Sequence, residues 1–310
     1  MGMPAYLRMI AAEGRVRLLT SAEEPDADVR VYLAQCVPTD GIDRIPTPQE
    51  EPDADVRQLV AHRIPEARLD RLLTPTEEPD ETTRWIAALR IPRERIERLP
   101  APAEEPDADV RRTFAQRIPE ERLLLLPTPD EEPDEEVRWV VAFRIPAERL
   151  IQLLTPVDEP DVLTRRMVAY RIPAERIDRL PTPEQEPNKD IRRIFSNRIP
   201  SERLIRLLTP SEEPDETTRW IVALRMPWER IERLPAHADE PDADVRQLIA
   251  QVIHAERLER LPAPDDEPDC KVRRMVAKRI QAERLIRPLS PEEEPDQDVR
   301  HTVADRISEH

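Results

Sequence analysis

In stretches such as Val137, Val140, Val141 and Ile145, apolar side chains fall three, one and four residues apart, which places them on one face of an α-helix. The same spacing returns along the chain at a fixed interval. Glu-Pro recurs with its proline at Pro25, Pro52, Pro79, Pro106, Pro133, Pro160, Pro187, Pro214, Pro241, Pro268 and Pro295, every 27 residues without an insertion or deletion. Counting that proline as position 1, the unit reads P-D-x-x-V-R-x-x-V-A-x-R-I-P-x-E-R-L-x-R-L-[LP]-T-P-x-E-E. A period of this length marks a repeat array, in which no unit covers its own apolar stripe and neighbours must share a continuous core.

Prolines divide each unit into elements: 34 of the 36 fall at positions 1, 14, 22 and 24. Asp at position 2, replaced once by Asn188, is a cap for a helix that begins at position 3. Positions 5, 8, 9 and 13 carry its apolar face, and Pro at 14 stops it, predicting about three turns. Position 14 then opens a shorter helix, α or 3₁₀, with Glu at 16 and apolar residues at 18 and 21, as in Ala147-Glu148-Arg149-Leu150. Thr209-Pro210-Ser211-Glu212 and its equivalents read as a capped single turn leading into the next repeat. Ala at position 10, with Ser196 as its one replacement, predicts close approach of neighbouring long helices.

These elements give an all-α solenoid of eleven helical repeats. Residues 1–24 read as an N-terminal cap and partial repeat, 25–294 as ten full repeats and 295–310 as a truncated last repeat, in one continuous domain. At ~8–10 Å between helices, the stack would run about 100 Å.

Composition narrows the function classes. Only 3 Gly and 10 aromatic residues disfavour aromatic-rich sandwiches and Gly-dependent nucleotide folds. The net charge of −17, from 65 acidic against 48 basic residues, disfavours an electrostatic grip on nucleic acid or anionic lipid. Of the acidic residues, 31 lie at positions 26, 27 and 2 around the first proline, where helix starts and the arginine rows account for them better than a cation site does. Arg stands at position 6 in all eleven repeats and Glu at position 27 in all eleven, so the two rows can form ladders. The basic residues are 45 Arg and 3 Lys, a bias that genomic base composition explains at least as well as guanidinium geometry. Cys36 and Cys270 stand far apart outside any Cys-x-x-Cys pair, so neither a disulfide framework nor a cysteine metal site is expected, and no cofactor is implied. The absence of a secretory signal and of an apolar run near ~18 residues points to a cytoplasmic protein without a membrane span.

The motif E-P-D-x-x-V-R-x-x-V-A-x-R-I-P-x-E-R-L-x-R-L resembles the leucine-rich repeat variant family and, more distantly, HEAT-like repeats, over Glu24 to Glu309. The resemblance implies a right-handed superhelical solenoid of alternating α and 3₁₀ helices. It also implies ladders between the acid and the arginine six residues later, as in Glu132 and Arg138. An iron–sulfur cluster known in that family sits on cysteines of an added segment; this chain has no cysteine cluster, so the resemblance does not imply that cofactor here.

Catalysis needs convergent groups, and the five histidines are scattered: no His-x-x-x-His, Gly-rich phosphate loop or serine elbow occurs, so no enzyme is expected. The stronger signal lies on the long helix. At about 100° per residue, positions 3, 4, 7 and 11 oppose the buried arc, and positions 7 and 11 are where the repeats disagree. Trp85 with Leu89, Trp139 with Phe143 and Trp220 with Leu224 fall there, joined by Arg112, Arg166, Tyr170 and Arg193. Aromatics at helical spacing usually belong to a core; on an exposed stripe they are anchors for a partner. The stripe therefore predicts a non-enzymatic scaffold holding a protein or peptide. One alternative is a nucleic-acid binder stacking bases on Trp85, Trp139, Tyr170 and Trp220, with Arg112, Arg166, Arg193 and Arg274 on phosphates. Another is an array that self-associates end to end through a last repeat lacking its second helix. The near identity of Pro79–Trp85 and Pro214–Trp220, five repeats apart, is explained by duplication and would also permit bivalent contact.

Overall fold

A computed structural model describes residues 17–69, 73–150 and 155–309. Residues 1–16, most of the N-terminal cap read from the sequence, lie outside this range. Among the described residues there are eleven α-helices, ten 3₁₀ turns and no strand. The chain forms two compact units, Met1–Leu150 and Ile151–His310. The first holds α1 (Ala27–Cys36), α2 (Ala54–Arg63), α3 (Glu81–Arg90), α4 (Ala108–Arg117) and α5 (Glu135–Arg144). The second holds α6 (Val162–Arg171), α7 (Lys189–Arg198), α8 (Glu216–Arg225), α9 (Ala243–Val252), α10 (Cys270–Arg279) and α11 (Gln297–Ser308). Within each unit every helix packs on the next, as a stacked repeat array requires.

The helices start where the caps predict. Asp134 accepts the Val137 amide at 2.9 Å and Asn188 accepts those of Asp190 and Ile191 at 3.0 and 3.2 Å, meeting donors that have no partner inside the helix. Ten of the eleven helices end at position 12, two residues before the proline site. The second element is a single 3₁₀ turn over positions 15–17, such as Glu66–Arg68, with Pro65 ahead of it rather than inside it. Leu or Ile at position 18 is buried, while Leu99, Leu126 and Leu180 at position 21 are half-buried. The Thr-Pro-x-Glu segments close as capped turns: Thr128 donates its amide and hydroxyl to Glu131 at 2.9 and 3.2 Å.

Positions 5, 9, 10 and 13 are buried almost throughout, so the core runs along one side of each helix. The buried arc is wider than the apolar pattern suggests, because Arg at position 6 lies inside it. Arg111 and Arg246 are 3% and 1% exposed. Each is held by bonds that use most of its donors. Arg111 Nε and Nη2 donate to the two carboxylate oxygens of Glu132 at 2.7 and 2.8 Å, and Nη1 donates to the Glu105 carbonyl at 2.9 Å. The paired acid thus lies 21 residues ahead, whereas the acid six residues behind supplies its backbone oxygen. A ladder glutamate with a repeat on either side, such as Glu105, accordingly serves two arginines, Arg84 through its side chain and Arg111 through its carbonyl.

Two further arginine rows staple consecutive repeats. At position 12, Arg90 donates to the Ala61 carbonyl at 2.8 Å, and Arg279 donates to the Ala250 and Ile253 carbonyls at 2.9 and 2.5 Å. These oxygens lie at the end of the preceding helix, where carbonyls lack an intrahelical partner. At position 17, Arg95 and Arg284 reach the Leu69 and Leu258 carbonyls, each at 2.8 Å. Guanidinium geometry, and not base composition alone, therefore has work to do in this array: a lysine offers one compact charge and no planar fork.

Candidate functional site

The helix register that buries positions 5, 6, 9 and 10 turns positions 3, 4, 7 and 11 outward. Trp85, Trp139 and Trp220 at position 7 are 38%, 37% and 37% exposed, so each indole keeps one side in solvent. At position 11, Phe143, Tyr170 and Leu224 are exposed and Leu89 is half-buried. Trp139 and Phe143 stack with ring centroids 5.6 Å apart and planes 10° from parallel. They form one aromatic ledge on α5.

The structure gives the arginines of the stripe partners that the sequence did not disclose. Arg112 pairs with Asp109 on its own helix and with Glu136 on α5. Arg193 binds Asp215, the cap of α8, at 2.7 and 2.8 Å and Asp190 at 3.2 Å. Burial pushes the Asp215 carboxyl up, but Arg193 and the Thr218 hydroxyl and amide outweigh it and hold its pKa at about 2. Arg274 reaches Asp298 at 2.9 Å. Arg166 instead lies over the Tyr170 ring, 5.8 Å from its centroid. Three of the four arginines that a phosphate backbone would require are thus engaged by carboxylates.

Between α3 and α4 the outward faces leave an open groove of about 390 Å³. Trp85 and Leu89 line it from α3 together with Glu81 and Thr82; Asp107, Asp109, Arg112, Thr113 and Gln116 line the other side. The sequence pattern picked out Trp85, Leu89 and Arg112 and passed over the three carboxylates. Asp107, at position 2, had been accounted for by helix-start electrostatics, and Glu81 and Asp109, at positions 3 and 4, fall among the outward positions without recurring in every repeat. An aromatic contact at the 3₁₀ turns was also missed: Trp228 stacks on His254 of the next repeat with centroids 5.0 Å apart.

Among the described residues no three His, Cys, Asp or Glu side chains gather as for a metal ion, and no helix is long and apolar enough to cross a membrane. Cys36 and Cys270 are free thiols. Burial, with a contact to Asp296, pushes the Cys270 thiol up, away from the reactive thiolate.

No protein-family model and no curated protein matches the chain. Among solved structures it is similar to one described as a leucine-rich repeat variant with a novel repetitive protein structural motif. The two share 27% identity over 75% of this chain and 78% of that chain, with a TM-score of 0.35. The chain thus resembles a leucine-rich repeat variant in sequence, and its own structure alternates an α-helix with a 3₁₀ turn every 27 residues.

Proposed function

We propose that the protein is a non-catalytic binding scaffold that holds a protein or peptide against the outward stripe of its long helices. One observation carries the reading: three tryptophans at the same repeat position, each with an apolar or aromatic neighbour one turn on, keep more than a third of their surface in solvent. Large rigid side chains lose little conformational entropy on binding and are enriched among the residues that dominate interface energies. Protein-carboxylate pairing of Arg112, Arg193 and Arg274 weighs against a nucleic-acid strand on the same face.

Trp139→Ala and Trp220→Ala test the reading. Both sites lie outside the core, so far-UV circular dichroism should be unchanged while capture of a partner from the native host falls roughly tenfold or more. Capture that is equal for wild type and both variants would remove the stripe as the binding surface.

A further inference from the structure

The residue types that line the groove between α3 and α4 recur on α8 and α9, which pack on one another as α3 and α4 do. Shifting its lining residues by five repeats gives Glu216, Thr217, Trp220 and Leu224 on α8, then Asp242, Asp244 and Gln251 at the start and outer face of α9. All seven match their counterparts in residue type. The eighth and ninth positions differ: Arg112 is replaced by Gln247, and Thr113 by Leu248.

Arg112 and Gln247 mark the difference between the two places. Where the chain supplies a guanidinium, beside Trp85, that group pairs with Asp109 on the groove wall and with Glu136 on α5. Where it supplies glutamine, beside the partly exposed Trp220, Glu216 on α8 and Asp242 and Asp244 at the start of α9 hold the positions of Glu81, Asp107 and Asp109, and no arginine stands at position 7 of α9. An indole face attracts a cation through its quadrupole, and carboxylates beside it strengthen that attraction in a partly desolvated groove. Leu224, 48% exposed, adds apolar surface of the kind that the methylene stem of an arginine covers, whereas Leu248 is buried.

We propose that the Trp220 groove, and more weakly the Trp85 groove, binds arginine side chains of a basic peptide, the guanidinium stacking on the indole between the acids of neighbouring helices. This rests on the scaffold reading and specifies its partner by charge.

The test uses the full chain and three fluorescein-labelled nonapeptides in which leucine alternates with arginine, glutamine or glutamate, read by anisotropy at 0.15 M salt. The arginine peptide should bind at least tenfold more tightly than the glutamine peptide, and the glutamate peptide should not bind. Glu216→Gln with Asp244→Asn should weaken the arginine peptide about tenfold. Glu184→Gln with Asp265→Asn, which removes two acids from exposed turns outside either groove, should leave it unchanged. Arg112→Gln should tighten binding and Gln247→Arg should loosen it, opposite shifts that a disturbed fold would not produce. Equal loss in the two double variants would reduce the effect to the −17 net charge and overturn the proposal. So would arginine and glutamine peptides that bind alike, although Trp220-dependent binding of both would leave the scaffold reading standing. Absence of binding by all three peptides overturns the basic-peptide assignment, while the scaffold reading is decided separately by capture from the host.

Discussion

At the scale of the residue, the arginine at position 6 shows how a buried charge becomes tolerable. Arg246 places Nε and Nη2 on Glu267 at 2.6 and 2.7 Å and Nη1 on the Glu240 carbonyl at 2.7 Å, so its charge is paired and three donors are met. Removing one member of such a buried pair strands the other. Arg246→Ala should cost roughly 3–5 kcal/mol in urea unfolding followed by circular dichroism. Arg246→Lys should recover only part of that, because one ammonium cannot span both carboxylate oxygens and the carbonyl. By contrast Arg206→Ala, whose pair with Glu212 is largely exposed, should cost no more than about 1 kcal/mol. If both alanine variants unfold at the same urea concentration, the ladder is not what holds neighbouring repeats. The rows of Arg and Glu were visible in the sequence, since each recurs in all eleven repeats. Their register was not: the partner acid stands 21 residues away, a separation that becomes a contact only when repeats stack. Arginines at positions 12 and 17 were less legible still, because their partners are backbone carbonyls and leave no mark on residue type.

At the scale of the element, local punctuation decides. An Asp that caps and a Pro that stops act within a few residues of themselves, which is why the long-helix starts could be read from the chain alone. The nature of the second element could not, since three residues satisfy either an α or a 3₁₀ turn. Two repeats show what proline contributes there. His254 and Gln281 occupy position 14 with φ of −64° and −60° and ψ of 135° and 134°, close to the −56° and 135° of Pro200. The folded backbone therefore accepts proline at these sites, and proline restricts only the unfolded chain. Gln281→Pro should stabilise the protein by roughly 0.4–1 kcal/mol, seen as a higher melting temperature. A lower one would mean that the Gln281 amide or side chain has a partner that proline removes. Asp134→Ala, in the opposite sense, should cost about 1 kcal/mol through loss of the α5 cap. The exposed stripe is also an element-scale feature. Its aromatic members followed from helical spacing, whereas the groove acids emerged only when two helices were set side by side.

At the scale of the whole chain, the same carboxylates that cap and pair also set the acid limit of stability. Glu50, Glu104, Glu212 and Glu293 at position 26 are each held at about 2, chiefly by hydrogen bonds from Arg44, Arg98, Arg206 and Arg287 and then by a backbone amide. Asp215 is held at about 2 as well. In the unfolded chain these groups return to about 4.5 for Glu and 3.8 for Asp. Between those values the unfolded state binds more protons than the folded one, so stability falls as the pH falls. Above pH ~5 both states are ionised and these groups contribute no slope. The urea midpoint should therefore be level from neutrality to pH ~5 and drop steadily from ~4.5 toward 2. Salt should distinguish the contributions, because the exposed position-26 pairs are screened by added ions and the buried ladder is screened much less. At neutral pH, 1 M salt should then lower the midpoint less than acid does. A midpoint that rose on acidification would mean that repulsion within a chain of net charge −17 outweighs the pairing of its carboxylates. The arrangement argues for the opposite balance, since the acids repeat beside arginines that recur at the same interval.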